Sequence, residues 1–382
     1  MKHHIRNGRI MRIAFLSQGD LDNPSVSSGM PHFIFRELAK RANEVAHFSA
    51  PSFDRFLFRS QTALRRAGMN LFDPLREDIA ARAYNLFLRR EIEAFNPDLV
   101  FAVVASPMTA RLKCAAPIVH FSDSTYASLL DYYPGCVGLS RRTIRQGNLM
   151  EYRALHNAKI ILLPSQWAAQ SAINDYKIDP AKVFTVPIGA NFYGVAPVSF
   201  EGGKWSDVCR LLFVGVDWER KGGNIALAVL VELQARGVPA ELHVVGCDPP
   251  AGHSHPQMHC HGFLSKTSDH AKLTELFSQA AFLIVPSRQE AYGIVFAEAS
   301  AFGTPSLATQ TGGIPSVVQQ GVNGFLFAAD ATATEYAAKI CELWSNQGTY
   351  MAIRRSSHQR FLDVLNWTTW GDRVMEIIAP QR

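Results

Sequence analysis

The sequence predicts an α/β protein built from two Rossmann-like domains, and three observations support this prediction. Short apolar runs typical of buried parallel strands alternate with amphipathic segments typical of helices. One arrangement, a strand followed by Pro-Ser and a helix, occurs twice, at residues 160–169 and 281–299. The chain also has 382 residues, 47% of them hydrophobic, which is enough to bury two cores of ordinary domain size.

The first predicted domain opens with a buried strand over residues 11–17, and the polar residues 1–10 are interpreted as an extension ahead of it. A loop rich in Gly, Ser, Asp and Asn follows and carries Gly29 at the entrance of an amphipathic helix over residues 32–41. On sequence alone, Gly29 can be either a ligand-binding residue of this loop or an ordinary turn residue before the helix. The next strand is predicted over residues 44–50. This succession is typical of an α/β domain.

A basic and aromatic stretch over residues 53–66 precedes a helix predicted over residues 75–95. Arginines interleaved with Phe, Leu and Tyr suit a helix that lies on an anionic membrane or holds a charged acceptor. The same pattern also occurs on exposed helices whose arginines extend to water. Both interpretations stay open, and peripheral membrane or lipid-linked acceptor contact is the hypothesis to test.

Two further strands are predicted over residues 98–104 and 117–123. His120 lies near the carboxyl end of the second, at the edge where open α/β sheets bind ligands. A histidine inside a strand can equally be a core residue with no ligand. Helices over residues 141–152 and 154–158 and strands over residues 160–165 and 183–187 complete the domain.

The glycine-bearing segment 199–206 has no periodicity and is the predicted linker. The second domain then opens with a strand over residues 210–216, followed by Arg220 and Lys221 ahead of a helix. A cation in that position can neutralise an anionic leaving group, although a lysine on a surface loop is the simpler alternative. Another strand is predicted over residues 241–246.

Residues 248–261 are rich in histidine, which raises the question of a zinc site. The segment lacks a second, separated ligand pair with zinc-finger spacing. The sequence therefore predicts a variable loop and a short strand here, with no bound metal. The histidines and cysteine concerned are His253, His255, His259, Cys260 and His261.

The stretch from residue 281 to residue 299 carries the strongest functional signal. An apolar strand over residues 281–285 ends at a Pro-Ser turn, and a helix begins near Gly293. The first N–H groups of such a helix are unpaired and favour a bound phosphate. Glu290 and Glu298 flank this point, and carboxylates accept hydrogen bonds from sugar hydroxyls. A sugar nucleotide has both kinds of group.

The spacing Glu290-x7-Glu298, followed by Ala299, Gly303-Thr-Pro305 and Gly312-Gly313, resembles the donor-site signature of family 4 retaining glycosyltransferases. The resemblance implies the GT-B fold, in which two Rossmann-like domains face each other and a C-terminal helix crosses back to the first. It further implies an acceptor-side domain over residues 11–198, a donor-binding domain over residues 207–356 and a returning helix within residues 357–382.

The resemblance also implies roles for single residues. It assigns His120, Lys221 and Glu290 to catalysis. Val216 and Ser316 depart from the family pattern, since a basic residue and a glutamate are common at those positions. The residues that the resemblance assigns to donor binding are Gly29, Arg220, Gly262, Phe263, Leu264, Ala291, Tyr292, Gly293, Ile294, Val295 and Glu298.

The implied reaction is transfer of a hexosyl group from a nucleoside-diphosphate sugar to an acceptor hydroxyl, with retention and without a metal cofactor. Polysaccharide, lipopolysaccharide or glycolipid assembly is the expected setting, with a glycan or lipid-linked acceptor. A nucleotide-sugar epimerase or phosphorylase of the same fold, and an inactive sugar-nucleotide-binding protein, remain the alternatives. A dinucleotide oxidoreductase is disfavoured because no Gly-x-Gly-x-x-Gly follows the first strand.

Composition limits the partners and the compartment. A net charge of +5 without a Lys/Arg run suits an anionic substrate or membrane surface, and we expect no nucleic acid. No apolar stretch reaches the roughly 18–20 residues that a membrane span needs, so a cytoplasmic protein, peripheral on the inner membrane face, is expected. The six cysteines lack CxxC spacing and are expected to be reduced and buried.

Overall fold

The computed structural model describes residues 11–21, 26–67, 73–192, 200 and 206–379. These residues form two compact units. Unit 1 contains the described residues up to Val186 and those from Gly371 onward, and unit 2 spans Pro187–Trp370.

Unit 1 is built on a six-stranded, fully parallel sheet with the order β2-β1-β3-β4-β5-β6. Strand β1 lies between β2 and β3, so the winding of the chain reverses there. The β1 side chains from Ile13 to Leu16 are completely buried, as expected for a central parallel strand. The strands are β1 (Arg12–Ser17), β2 (Glu44–Phe48), β3 (Leu99–Val103), β4 (Ile118–Phe121), β5 (Ile160–Leu163) and β6 (Val183–Thr185).

Helices connect the strands of unit 1. They are α1 (Met30–Arg41), α2 (Pro51–Arg66), α3 (Asp78–Phe95), α4 (Ser106–Thr109), α5 (Tyr126–Leu129), α6 (Arg141–Asn157) and α7 (Gln166–Asn174). In the described part of unit 1, short 3-10 turns occur at Val26–Gly29, Pro74–Arg76, Pro134–Cys136 and Pro180–Lys182.

Unit 2 repeats this plan with a six-stranded parallel sheet in the order β12-β11-β10-β7-β8-β9. Its winding reverses between β7 and β10, which pair through Phe282 with Leu211 and Leu283 with Leu212. The strands are β7 (Cys209–Val214), β8 (Ala240–Val245), β9 (Met258–Cys260), β10 (Phe282–Val285), β11 (Ser306–Thr309) and β12 (Gly324–Phe327).

The helices of unit 2 flank this sheet, and one further helix is shared with unit 1. Helix α15 (Trp367–Ile378) crosses the division between the units after Trp370. The others are α8 (Trp218–Lys221), α9 (Gly223–Ala235), α10 (His270–Gln279), α11 (Ile294–Ala301), α12 (Ile314–Val317), α13 (Ala333–Trp344) and α14 (Gln347–Asp363).

The prediction of two Rossmann-like domains is confirmed, and so is the return of the chain to the first domain at its end. The units divide at Val186/Pro187 and Trp370/Gly371, whereas the predicted boundaries lie near residues 198–207 and 356. Residues after Pro187 belong to unit 2 because Ala190 N donates to Leu365 O and Trp367 Nε1 donates to Asn191 Oδ1. Most of the predicted linker, including residues 201–205, lies outside the described residues.

Two local predictions were wrong. The helix predicted to break at Arg153 is continuous as α6, because this arginine turns from the apolar face and pairs with Asp78 of α3. Of the six cysteines, only Cys209 is buried, and Cys260 is exposed because it lies on the edge strand β9. Among the described residues, no helix is both long and apolar enough to cross a membrane.

Candidate functional site

The candidate site of unit 2 lies where the winding of its sheet reverses. Strands β7 and β10 are neighbours, and the loops after their carboxyl ends carry the predicted charged residues. Arg220 and Lys221 lie on the short helix α8 after β7, and Glu290 follows β10. Open α/β sheets bind ligands at this reversal point, outside the carboxyl ends of the strands.

Lys221 and Glu290 form an ion pair at this point. The Lys221 ammonium contacts Glu290 Oε2, and Arg220 Nη1 lies 3.8 Å from the same oxygen. The Lys221 and Glu290 side chains are only 12% and 9% exposed. Arg220 Nη1 also donates to Gln289 O at 3.1 Å, which holds the guanidinium beside the pair. The site therefore concentrates positive charge around one carboxylate.

Two glycines allow the loops after β7 and β10 to come together. Gly222 has a φ of 80°, and a Cβ there would lie 2.2 Å from Pro286 O. A Cβ on Gly215 would lie 2.6 Å from Lys221 Cγ. Arg288 N donates to Arg220 O at 2.8 Å and joins the two loops directly. Glycine at these two positions thus leaves room for the Pro286 carbonyl and for the Lys221 side chain.

Helix α11 begins beside Glu290. Its N-cap residue, Gly293, has a φ of 86°, and a Cβ there would lie 2.6 Å from the Phe296 ring and 3.2 Å from Glu290 Cγ. The first N–H groups of a helix have no acceptor within the helix, so this end can bind an anion. Gly313 N donates to Glu290 O at 3.1 Å, which brings the predicted Gly-Gly turn against the same loop.

Glu298 lies further along α11 and is paired with a lysine that the sequence analysis missed. Its side chain is 3% exposed, and Lys266 Nζ contacts its Oε1. Lys266 follows residues 262–264, which the family resemblance assigns to donor binding. A lone lysine in a loop carries no sequence signal of its own, and its nearness to residue 264 was the only indication.

The segment Gly262–Leu264 lies after the edge strand β9. Gly262 has a φ of 64°, and its carbonyl accepts a hydrogen bond from Gly246 N at 2.8 Å. Phe263 is 67% exposed, and Leu264 is half-buried. An exposed aromatic ring beside a main-chain turn provides a surface on which a planar ring can stack.

Ala291, Tyr292 and Val295 are buried, and Ile294 is partly buried. The Tyr292 hydroxyl donates to Ile188 O at 3.1 Å, and burial raises the pKa of this phenol. Its side chain therefore serves packing. Apart from the partly buried Ile294 side chain, this segment offers mainly its main-chain groups to a ligand.

His120 and Gly29 lie in unit 1. His120 is completely buried in β4, and within the described part of the chain neither ring nitrogen has a hydrogen-bond partner. Burial lowers the pKa of His120, although nearby Glu151 acts in the opposite direction. Gly29 follows β1 with a φ of 82° and caps α1. The structure thus assembles Arg220, Lys221, Glu290 and Gly293 in unit 2 and presents a neutral histidine in unit 1.

Family models match both parts of the chain. Residues 32–192 match the model described as Glycosyltransferase Family 4, and residues 209–346 match Glycosyl transferases group 1. A D-inositol 3-phosphate glycosyltransferase of Corynebacterium diphtheriae is 26% identical over 198 residues, which cover 47% of this chain and 46% of that protein. The matched region spans about half the length of such curated relatives.

Solved structures resemble the chain over nearly its whole length. Sucrose-phosphate synthase from Thermosynechococcus elongatus aligns with a TM-score of 0.68 at 17% identity, covering 96% of this chain and 98% of that one. Anabaena HepE in complex with UDP-glucose aligns with a TM-score of 0.60 at 16% identity, covering 97% and 100%. At these identities the likeness establishes a shared fold.

Proposed function

Because this chain belongs to the family 4 glycosyltransferases and has their GT-B fold, we propose that it is a retaining hexosyltransferase that uses a nucleoside-diphosphate sugar. The observation that carries the proposal is the Lys221–Glu290 pair at the reversal point of the unit 2 sheet. A cation beside a carboxylate suits a donor in which a diphosphate is joined to a sugar. The UDP-glucose bound by HepE supports this donor class.

Donor binding exchanges partners within this site. Lys221 turns from Glu290 to the diphosphate, with Arg220 beside it, and Glu290 accepts hydrogen bonds from the sugar hydroxyls. The N–H groups that begin at Gly293 bind the phosphate. Glu298 accepts hydrogen bonds from the ribose, and the main chain of residues 262–264 contacts the base.

The reaction breaks the bond between the anomeric carbon and the phosphate oxygen and forms a bond to the acceptor oxygen on the same face. Negative charge grows on the leaving diphosphate, so Lys221, Arg220 and the α11 N-terminus bind the transition state more tightly than the substrate. The acceptor proton passes to the departing phosphate oxygen. Following the family resemblance, we also propose His120 of unit 1 as a catalytic residue.

We propose that this chemistry needs no metal, because two cations and a helix N-terminus supply the positive charge. Initial transfer rates with and without EDTA, measured well below the melting temperature, test this directly. Equal rates are expected. Loss of transfer with EDTA and recovery on adding Mg²⁺ or Mn²⁺ would contradict it.

A screen of nucleoside-diphosphate sugars by thermal shift, followed by a transfer assay, tests the function. A donor at a free concentration of 100 times its Kd raises the free energy of unfolding by about 2.7 kcal/mol. The product's anomeric configuration, read by NMR, tests retention. Turnover without an acceptor alcohol would identify an epimerase or phosphorylase. Donor binding without turnover would identify a sugar-nucleotide-binding protein. If no donor stabilises the protein, the proposal is refuted.

We also propose that α2 holds unit 1 against an anionic membrane that carries the acceptor. Phe56 is 63% exposed and Phe87 of α3 is 47% exposed, and both rings contact Phe53. Arg55 and Arg59 are exposed on the same helix. Aromatic and basic side chains on one exposed surface suit an interfacial helix.

Sedimentation with phosphatidylglycerol vesicles at physiological salt measures this contact. The wild type is expected to sediment, and Phe56→Ser is expected to reduce the bound fraction severalfold. Val231→Ser is the matched control, because Val231 is 49% exposed in unit 2. Equal binding of both variants, or none by the wild type, would exclude α2 as the contact.

A further inference from the structure

Three potential metal ligands meet on one face of the unit 2 sheet, away from the charged site described above. Glu241 and His243 lie on β8, and His259 lies on the edge strand β9. One ligand atom from each residue lies within 4.8 Å of the others. We propose that these three residues bind a divalent transition-metal ion such as Zn²⁺, which fastens β9 to β8.

The backbone, and not a flexible loop, brings these side chains together. His243 and His259 are direct neighbours in the parallel register of β8 and β9, and their ring centroids are 5.0 Å apart. Glu241 lies two residues before His243 and therefore points to the same face of the sheet. Two imidazoles and a carboxylate are a known zinc ligand set, and imidazole suits Zn²⁺, Cu²⁺ and Ni²⁺.

His261 orients the central ligand. His243 Nδ1 lies 3.0 Å from His261 Nε2, and His243 Nε2 lies 3.4 Å from Glu241 Oε2. A metal on Nε2 leaves the imidazole proton on Nδ1, which His243 then donates to His261. Ligating histidines commonly donate their second ring nitrogen in this way. The 3.4 Å between His243 Nε2 and Glu241 Oε2 is longer than an ordinary hydrogen bond. A metal ion between these two atoms would therefore replace only a weak contact.

A neighbouring arginine holds the carboxylate of the group in place. Arg210 Nε donates to Glu241 Oε2 at 3.2 Å, which fixes the carboxylate beside His243. Bonds of about 2.1 Å in a tetrahedron place ligand atoms about 3.4 Å apart, so the group must close slightly. His259 is exposed and can make that adjustment.

This ligand set was not accessible to the sequence analysis, which considered only residues 248–261 and expected no metal. Of that segment, His259 joins the group, while the other two ligands come from β8. The cluster is also separate from the Lys221–Glu290 pair, because β7 lies between β8 and β10. Its role is structural: Met258–Cys260 is a short edge strand, and a metal clip holds it in register.

Metal titration of untagged, EDTA-dialysed protein tests the proposal. Co²⁺ reports its coordination by visible absorption, and calorimetry with Zn²⁺ gives affinity and stoichiometry. We expect one ion per chain and a rise in Tm on adding Zn²⁺. His259→Ala and His243→Gln are expected to weaken Kd by about tenfold or more, comparable with losses at known sites.

His255→Ala is the matched control, because His255 belongs to the same segment but not to the group. It should bind as the wild type does. His259→Ala keeps the test valid if His243→Gln fails to fold, since His259 is exposed. The proposal is refuted by absent Co²⁺ absorption in the wild type, by unchanged affinity in His259→Ala, or by an equal loss in His255→Ala. None of these results depends on glycosyl transfer.

Discussion

Unit 1 and unit 2 prepare their predicted catalytic residues in opposite ways. In unit 2, Lys221 and Glu290 are charged and already paired with each other. In unit 1, His120 is buried, its pKa is lowered, and neither ring nitrogen has a partner in the part of the chain that the structure describes. Unit 2 therefore contains a buried ion pair, whereas unit 1 contains a buried imidazole that makes no hydrogen bond within the described residues.

The difference follows from what burial costs. An unpaired buried charge is far more costly than an unpaired neutral group, so unit 2 must satisfy its charges internally until a ligand arrives. A neutral imidazole without partners costs about 1–3 kcal/mol, which a domain can carry. Ligand binding should therefore replace the Lys221–Glu290 contact in unit 2. In unit 1 it should give His120 a hydrogen-bond partner.

Removing the lysine of the pair should have the largest effect. We expect Lys221→Ala to lower kcat/KM for transfer by about a thousandfold, because charge on the leaving diphosphate loses its main partner. The free energy of unfolding should also fall by about 1–3 kcal/mol, because Glu290 loses its closest partner and keeps the longer contact with Arg220 Nη1 at 3.8 Å. Steady-state kinetics and urea denaturation measure the two effects.

The double variant Lys221→Met/Glu290→Gln separates those effects. Replacing both charges should restore most of the stability and none of the activity. If transfer survives in Lys221→Ala, or if the double variant is as unstable as the single one, the pair does not work as described.

A smaller loss is expected at His120. The His120→Leu variant removes both unpartnered nitrogens, so stability should be unchanged or higher while kcat falls about a hundredfold. If His120 serves only packing, the opposite result is expected, namely a lower Tm and a normal kcat in His120→Leu. Thermal unfolding together with kcat therefore distinguishes a ligand-contacting histidine from a core residue.

At Glu298 the expected effect is confined to donor affinity. Glu298→Gln should raise the donor KM about tenfold with little change in kcat, because the ribose does not react. Lys266→Met should act in the same direction through the loss of its contact with Glu298. Lys272→Met is the matched control, since Lys272 pairs with exposed Glu275 on α10. Unchanged donor kinetics in Glu298→Gln would reject the ribose contact.

The smallest effect concerns pH. The pKa of His120 is lowered in the folded protein, so below the unfolded value of about 6.5 the unfolded chain binds more protons. Stability should therefore fall as pH decreases from 6.5 to 5, by up to about 1.4 kcal/mol per pH unit from this group. Denaturation curves at pH 7 and pH 5 give the free energy of unfolding at each pH. This free energy should change less with pH in His120→Leu than in the wild type, and an equal change in both proteins would contradict the lowered pKa.

The sequence predicted the sheets and the main charged residues because their signals are local. Apolar strands, the Pro-Ser turn and the Glu290-x7-Glu298 spacing are all visible in one short stretch. Lys266 was missed because its contact with Glu298 joins residues 32 positions apart. The Glu241–His243–His259 group was missed for a similar reason, since it depends on the register of two strands. Long-range pairing, and not residue type, was the missing information.

The division of helix α15 between the units has a consequence for biosynthesis. Unit 1 includes residues from Gly371 onward, and Arg41 of α1 donates to Asp372 there. Val374 on the same segment is completely buried. A growing polypeptide therefore finishes unit 2 on the ribosome before it can supply the last helical turns of unit 1. Unit 1 therefore cannot complete its packing until unit 2 has been synthesised.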